Sequence, residues 1–453
     1  MAGSFNRPVR HGRSVVGVID VDGEVFRPGS PGYEAARRPA DVRFAHVRPR
    51  LVVRCGSVAD IVRALEYARS TGTPVVPRGG GHCFAGRSST DGIVLDLGLF
   101  DGVDVTARGV ATIGAGARLA GVYEALHRRG RTLPAGCGPT VGIAGLTLGG
   151  GIGLLGRRYG LTCDRLAGAR VVLADGRVVD CDAEREPELF WALRGAGGGQ
   201  FGIVTSLVFA TVPEPATTLV AFGPPRAPLA DVVEAWQDWA PDAPDEVTVD
   251  LSVLAVPGRP AEVAIGGASL LPEAPTRRVL DGFRAAVGAR LELRGGVAYS
   301  GLKAMLAGRD PLDDIVGGRR IRSELFARPL RRSTIDALGA ALELGLRDDT
   351  GPRRLAFAAL GGAYNRVPTG ATAFAHRGER FLLEHGAATA SSWPDASWAI
   401  AHADGSGRVY PNFPDPALGD DALLAYHAEN LPRLAAVKRH YDPDRLFAFP
   451  HSL

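Results

Sequence analysis

Pro77-Arg78-Gly79-Gly80-Gly81-His82 sets one imidazole at the end of a loop that has almost no side chains. Three adjacent glycines let the main chain turn through positive φ and present bare N–H groups to a ligand. An imidazole beside such a surface can act as a nucleophile toward that ligand. Two further glycine-rich tracts follow, at residues 142–156 and 195–202. One large nucleotide could lie against all three.

A chain of 453 residues is too long for one ordinary core and predicts two or three domains, one of them able to form from non-adjacent segments. Hydrophobic content of 45% and charged content of 22% are those of a soluble globular protein rather than a disordered one. Glycine is the outlier, at 60 residues against about 32 at average usage, and it clusters in the first half. Net charge is only +3, and the basic residues are scattered without interleaved aromatics, which argues against nucleic-acid binding. Only Lys303 and Lys438 are lysines, and no lysine follows a glycine loop, which argues against a P-loop nucleotidase. The N-terminus carries Arg7, Arg10 and Arg13 but only a short apolar run, and no stretch approaches the ~18 apolar residues of a membrane span. Five cysteines (Cys55, Cys83, Cys137, Cys163 and Cys181) show no metal-type spacing, which leads to the expectation of a reduced, cytoplasmic setting without a metal.

Residues 14–26 read as a hairpin-like pair about Asp22-Gly23. Leu51 to Arg54 predicts a strand, and Ser57 with Asp60 caps a helix whose apolar positions Ile61, Ala64, Leu65 and Ala68 recur at helical spacing until Gly72. Val75-Val76 opens the next strand, with His82 in the loop after it. Strands are expected at 93–97, 110–113 and 201–209, helices at 119–129 and 187–194, and a hairpin about Asp175-Gly176. This is an α+β pattern, not regular βαβ repetition. Pro213-Glu214-Pro215 marks a boundary. Beyond it, strands at 247–253 and 261–271 and a helix at 333–346 suggest a sheet covered by helices. After Tyr410-Pro411-Asn412 an alanine- and leucine-rich helix is expected to run to Lys438-Arg439-His440. His376 and His402 are placed in strands or loops of the second domain.

Two formal G-x-G-x-x-G matches exist, Gly151/Gly153/Gly156 and Gly197/Gly199/Gly202. That fingerprint has meaning only between a strand and a helix. The second follows a helix and precedes a strand, and the first lacks an opening helix, so a nicotinamide site is disfavoured. An isolated histidine is most often a satisfied loop residue; the neighbouring glycines reverse that reading for His82.

Taken together, these motifs carry a resemblance. The segment 78–86 resembles the histidyl-flavin loop of the FAD-linked oxidases of the berberine bridge enzyme-like group, whose flavin domain is of the PCMH type. Residues 139–145 and 148–153 are similar to that group's second flavin loop, and 195–205 to its third. Tyr410-x-Asn412 and residues 441–447 resemble its closing segment. The resemblance implies an α+β fold in which a two-part PCMH-type FAD-binding domain, residues 45–215 completed by 406–453, carries an inserted substrate domain, residues 216–405, of antiparallel sheet covered by helices.

By the same resemblance FAD is bonded covalently through His82. It is held by Arg78, Gly79, Gly80, Gly81, Cys83, Ala85 and Gly86 in the first loop, and by Gly138, Thr140, Val141, Gly142, Gly145, Leu148, Gly149, Gly150 and Gly153 in the second. Gly202, Ile203 and Val204 serve in the third, and Tyr410 and Asn412 close the site. Many relatives carry a second link through a cysteine immediately before Pro-Thr-Val. Here Gly138 holds that position and Cys137 lies one residue earlier, so Cys137 is read as a nearby thiol, with a second link the less favoured reading. Val141 matches the position where valine is usual in oxidases. Tyr410 matches the tyrosine that takes a proton from the substrate, a role for which its pKa of ~10 must fall. The implied reaction is hydride transfer from an alcohol or amine carbon of a small organic substrate to flavin N5, with reoxidation by molecular oxygen to hydrogen peroxide. A flavin-dependent dehydrogenase using another acceptor and a non-catalytic flavin-binding protein are the alternatives.

Overall fold

The computed structural model describes residues 19–306, 312, 318–344 and 351–453. Three large sheets organise it, beside a two-stranded one that pairs Arg131–Thr132 with Val212–Pro213. The first has strand order Glu24–Phe26, Leu51–Arg54, Ile93–Asp96, Val75–Arg78, the last three parallel. The helix Val58–Thr71 connects two of those parallel strands. It starts as the sequence predicts, with a full capping box between Ser57 and Asp60, and stops at Gly72, whose φ of 60° suits a left-handed C-cap. The strand Val75–Arg78 then delivers the chain into the His82 loop.

The hairpin expected over 14–26 does not form in its described part. Glu24–Phe26 pairs with Leu51–Arg54 instead, because Phe26 packs on Val52, Val76 and Val94, and Arg54 reaches Glu24 at 2.7 Å. Residues 14–18 lie outside the described residues. The second sheet is antiparallel, in the order Val103–Val105, Val110–Gly114, Ile203–Ala210, Leu166–Val172, Val178–Cys181. It contains the hairpin expected about Asp175-Gly176.

The third sheet has seven antiparallel strands, in the order Leu291–Ala298, Ala216–Phe222, Glu262–Ser269, Val247–Ala255, Arg353–Ala359, Phe381–Ala388, Arg319–Phe326. Helices Leu229–Trp239, Glu273–Val287, Arg332–Glu343 and Trp393–His402 cover one face. There Val249, Leu251, Val253, Leu355, Phe357 and Leu383 form a core with Trp236, Phe283 and Leu338. Alternation along each strand turns Thr248, Asp250, Ser252, Arg354 and Glu384 to the opposite face. The expected helix 333–346 is observed as Arg332–Glu343; residues 345 and 346 lie outside the described residues.

The C-terminal helix expected to run unbroken is in two parts, Ala422–His427 and Leu431–Tyr441, separated where Ala428 takes φ 49° and Pro432 starts the second part. His402 ends the helix Trp393–His402, rather than lying in a strand or loop, with Nδ1 2.8 Å from Glu324 Oε2. The first G-x-G-x-x-G run follows the helix Ile143–Leu148 and does lead into a helix, though one of a single turn, Gly156–Tyr159. No helix among the described residues is long and apolar enough to cross a membrane.

Candidate active site

The three glycine tracts, the C-terminal segment and the uncovered face of the seven-stranded sheet enclose one cavity of about 910 Å³. That is the upper part of the range for small-molecule and cofactor sites. Gly79 to Cys83 line it from the first loop, Gly138, Val141, Gly142, Gly145, Leu148 and Gly153 from the second, and Gly202 and Val204 from the third. Gly197 to Gly199, from the tract expected to lie against the nucleotide, also line it, as do Gly136 and Phe413, which the sequence reading did not place in the site.

Two of the loops are packed backbone to backbone. A Cβ on Gly80 would stand 2.4 Å from the Gly142 nitrogen, and one on Gly142 2.5 Å from the Gly80 nitrogen. Arg118 clamps the same crossing, donating to Gly80 O and, at 2.9 Å, to Thr140 O. His82 projects from this clamp, with Nε2 3.0 Å from Thr140 Oγ1. No described group hydrogen-bonds its Nδ1. Burial, reinforced by the Arg118 charge, holds the imidazole below its ordinary pKa. The neutral ring therefore keeps a nitrogen lone pair at neutral pH, the form that can make a bond to carbon.

Several expected contacts are instead supports. Arg78 is buried and does not line the cavity; its guanidinium donates to Ala36 O at 2.9 Å and Ser88 O at 3.0 Å, fixing the loop's base. Gly86 lies against Phe44, Ile203 is in the core, and Ala85 and the exposed Thr140 do not line the cavity. Gly149 leaves room for the Asn412 amide, which a Cβ would meet at 2.2 Å, and Gly150 for the Phe374 ring.

The Tyr410 hydroxyl is held by the second loop. Gly150 and Gly151, at φ 118° and 91°, turn the chain so that the N–H groups of Gly151 and Ile152 donate to Tyr410 Oη at 2.9 and 3.0 Å. Asn412 Nδ2 donates to the same oxygen at 2.9 Å and to Leu146 O at 2.8 Å. Three donors on one phenolic oxygen favour the phenolate. Burial outweighs them and pushes the group up to about 12. The fall expected from sequence is thus not produced by these protein groups, since the donors are amides rather than a cation.

Across the cavity the sheet supplies groups that no motif announced. Asp250 accepts from Ala359 N at 3.1 Å, and burial pushes its carboxyl up to about 7. Glu384 lies 3.2 Å from Arg354 Nη2. The small residues Gly266 and Ala358 flank Asp250 on the same sheet face. Cys137 lines the rim, with its Sγ 2.9 Å from Lys303 Nζ. His376 does not line the cavity; it is buried, and burial pushes it down to about 3.

The cavity's donors suit a dinucleotide. Arg87, immediately after Gly86, lines the wall with Nε and Nη2 buried and without a hydrogen-bond partner among the described residues. A guanidinium stacked on the Phe449 and Tyr426 rings, at 4.7 and 5.6 Å, with N–H groups still unpaired beside a glycine tract, is a donor set for phosphate oxygens.

Comparisons with known proteins agree. Residues 49–182 match the FAD binding domain family and residues 409–453 the berberine and berberine-like family. An uncharacterized FAD-linked oxidoreductase of Bacillus subtilis, YgaK, is 30% identical over 95% of this chain and 96% of its own. The xylooligosaccharide oxidase of Thermothelomyces thermophilus is 30% identical over 89% of this chain and 87% of its own. Among solved structures, the glucooligosaccharide oxidase of Acremonium strictum, described with a 6-S-cysteinyl, 8α-N1-histidyl FAD, superposes with a TM-score of 0.82 at 26% identity, over 95% of this chain and 97% of that one. The chain therefore belongs to the berberine bridge enzyme-like family of FAD-linked oxidoreductases.

Proposed function

We propose that this enzyme is an oxidase that takes a hydride from an alcohol or amine carbon of a small organic molecule and returns the electrons to molecular oxygen. When bound, the flavin supplies the hydride acceptor at N5 and reduces oxygen to hydrogen peroxide. Residues 45–215 with 406–453 form the flavin unit in this reading, and 216–405 the substrate unit. His82 carries the covalent link through Nδ1, the nitrogen left open while Thr140 holds Nε2. Arg87 and the amides of the three glycine tracts neutralise the phosphates. Cys137 makes no second link.

Tyr410 takes the proton from the substrate's hydroxyl or amine. The observation that carries this assignment is the set of three N–H donors on its Oη, at 2.9, 3.0 and 2.9 Å. They stabilise negative charge on that atom and fix it at the flavin-loop wall of the cavity. Asp250 and the Arg354–Glu384 pair bind the substrate's polar groups from the other wall. Val141, lining the cavity, leaves space for oxygen and favours the oxidase over the dehydrogenase reading.

Two measurements test the proposal. Acid-precipitated, digested protein should yield one flavin-bearing peptide, containing His82 and not Cys137. Anaerobic mixing with primary and secondary alcohols, aldoses and amines should bleach the flavin with at least one of them, and readmitted air should restore the colour and release hydrogen peroxide. Bleaching that air cannot reverse, but an artificial quinone can, would make the enzyme a dehydrogenase.

A further inference from the structure

The chain's two lysines have different surroundings. Lys438 Nζ is satisfied by Gln200 O, Asp442 Oδ2 and Phe447 O at 2.6, 2.7 and 2.8 Å. Lys303, on the helix Tyr299–Leu306, is equally buried, at 4% exposure, but no described carboxylate lies within ion-pair distance. Its Nζ meets Ala135 O at 3.4 Å and, much closer, Cys137 Sγ at 2.9 Å. The rings of Tyr123 and Tyr299, 5.3 and 5.4 Å away, wall it in on a different side. A buried amine is thus aimed at a thiol that lines the cavity in which the proposed reaction would release peroxide.

We propose that Cys137 and Lys303 are the site of an oxidative nitrogen–sulfur cross-link, which fastens the second glycine loop to the helix beyond strand Leu291–Ala298. The first step is ordinary thiol oxidation: Cys137 Sγ attacks one oxygen of hydrogen peroxide, giving a sulfenic acid and water, with sulfur oxidised by two electrons and peroxide reduced by two. In the second step Lys303 Nζ attacks the sulfenic sulfur. The S–O bond breaks, the S–N bond forms, and the hydroxyl leaves as water with one proton from the nitrogen; a second proton, from the ammonium, passes to solvent. The known condensation of sulfenic acids with a backbone nitrogen is the same chemistry. Here the two atoms are already in contact, which gives the intramolecular step a large advantage over further oxidation by a second peroxide.

The other thiols cannot take this route. Cys55, Cys163 and Cys181 are buried, and burial pushes each thiol up. Cys83 lines the cavity, but the chain has no third lysine to reach it.

The inference takes its natural source of peroxide from the oxidase reading, so the experiment supplies peroxide separately. The flavin-loaded enzyme is treated with graded hydrogen peroxide, alkylated, digested without reductant and examined by peptide mass spectrometry. Expected is a peptide pair joined through Cys137 and Lys303, two hydrogens lighter than the sum of its parts, rising with dose to the larger share of Cys137 and released by dithiothreitol. In Lys303→Arg, Cys137 should go on to the sulfinic and sulfonic acids; in Cys137→Ser, the Lys303 peptide should stay free at every dose. Cys137 recovered alkylated, over-oxidised without linkage, or carrying a flavin mass in the unmutated enzyme would overturn the proposal. A link made by added peroxide but not during turnover would count against the oxidase reading alone.

Discussion

Tyr410 is asked to act as a base in a setting that raises its pKa, and that conflict makes its role measurable. Burial holds the phenol protonated up to about pH 12, while three N–H donors wait for the anion. A base is useful only when deprotonated, so a raised pKa places the rise in activity on the alkaline side. The rate of anaerobic flavin reduction should climb with pH throughout the alkaline range. Tyr410→Phe should lower it by about 10²- to 10⁴-fold and remove the climb, with the flavin absorbance unchanged. Asp250 supplies a second pH signature. Its carboxyl is neutral below about 7 and charged above it, so KM should change across neutrality, and Asp250→Asn should flatten that change while leaving the flavin in place. Of these two residues only Tyr410 was picked out in the sequence, through the resemblance of Tyr410-x-Asn412 to the family's closing segment. Asp250 sits in Val-Thr-Val-Asp-Leu-Ser-Val, where alternate polar positions read as the solvent face of a strand.

At the scale of elements, the loops were legible because their function removes side chains, and a run such as Gly79-Gly80-Gly81 has few other reasons to exist. What the pattern could not give was which glycines face the ligand and which face each other. Gly80 and Gly142 show the difference, since their missing Cβ atoms are what lets two loops cross. Gly80→Ala would push a methyl group to 2.4 Å from the Gly142 nitrogen, against backbone that cannot swing aside. Such overpacking costs about 1–3 kcal/mol. Thermal unfolding should fall accordingly, and flavin attachment at His82 should be incomplete, because Arg118 and Thr140 position the imidazole from the same crossing. Gly145→Ala is the control: no atom lies within 4 Å of its added Cβ, and stability should hold. Of the seven-stranded sheet, two strands were read from the sequence, at 247–253 and 261–271, and none as a binding wall, for its chemistry depends on which face the covering helices leave open.

Across the whole molecule, the question is what keeps a closing segment, distant in sequence, against loops laid down in the first half of the chain. Lys438 answers most of it. Its Nζ donates to Gln200 O in the third glycine tract and to Phe447 O, and pairs with Asp442 at 2.7 Å, the two side chains being 3% and 0% exposed. Asp442 is satisfied in turn by the Leu446 and Phe447 N–H groups at 2.8 and 3.0 Å. A buried pair with every donor and acceptor used is the arrangement in which losing one partner is most damaging, about 3–5 kcal/mol, because the other charge is stranded. Lys438→Met should therefore destabilise by that amount. It should also loosen the segment that carries Tyr410 and Asn412, lowering kcat while the flavin stays bonded to His82. Asp442→Asn in the same chain removes the stranded charge, so the double variant should recover part of the stability lost by Lys438→Met, a coupling that a thermodynamic cycle measures directly. If the two losses simply add, the pair does not act as a unit, and the closing segment is held by the packing of Leu434, Val437, Tyr441 and Phe447 in the flavin-side core.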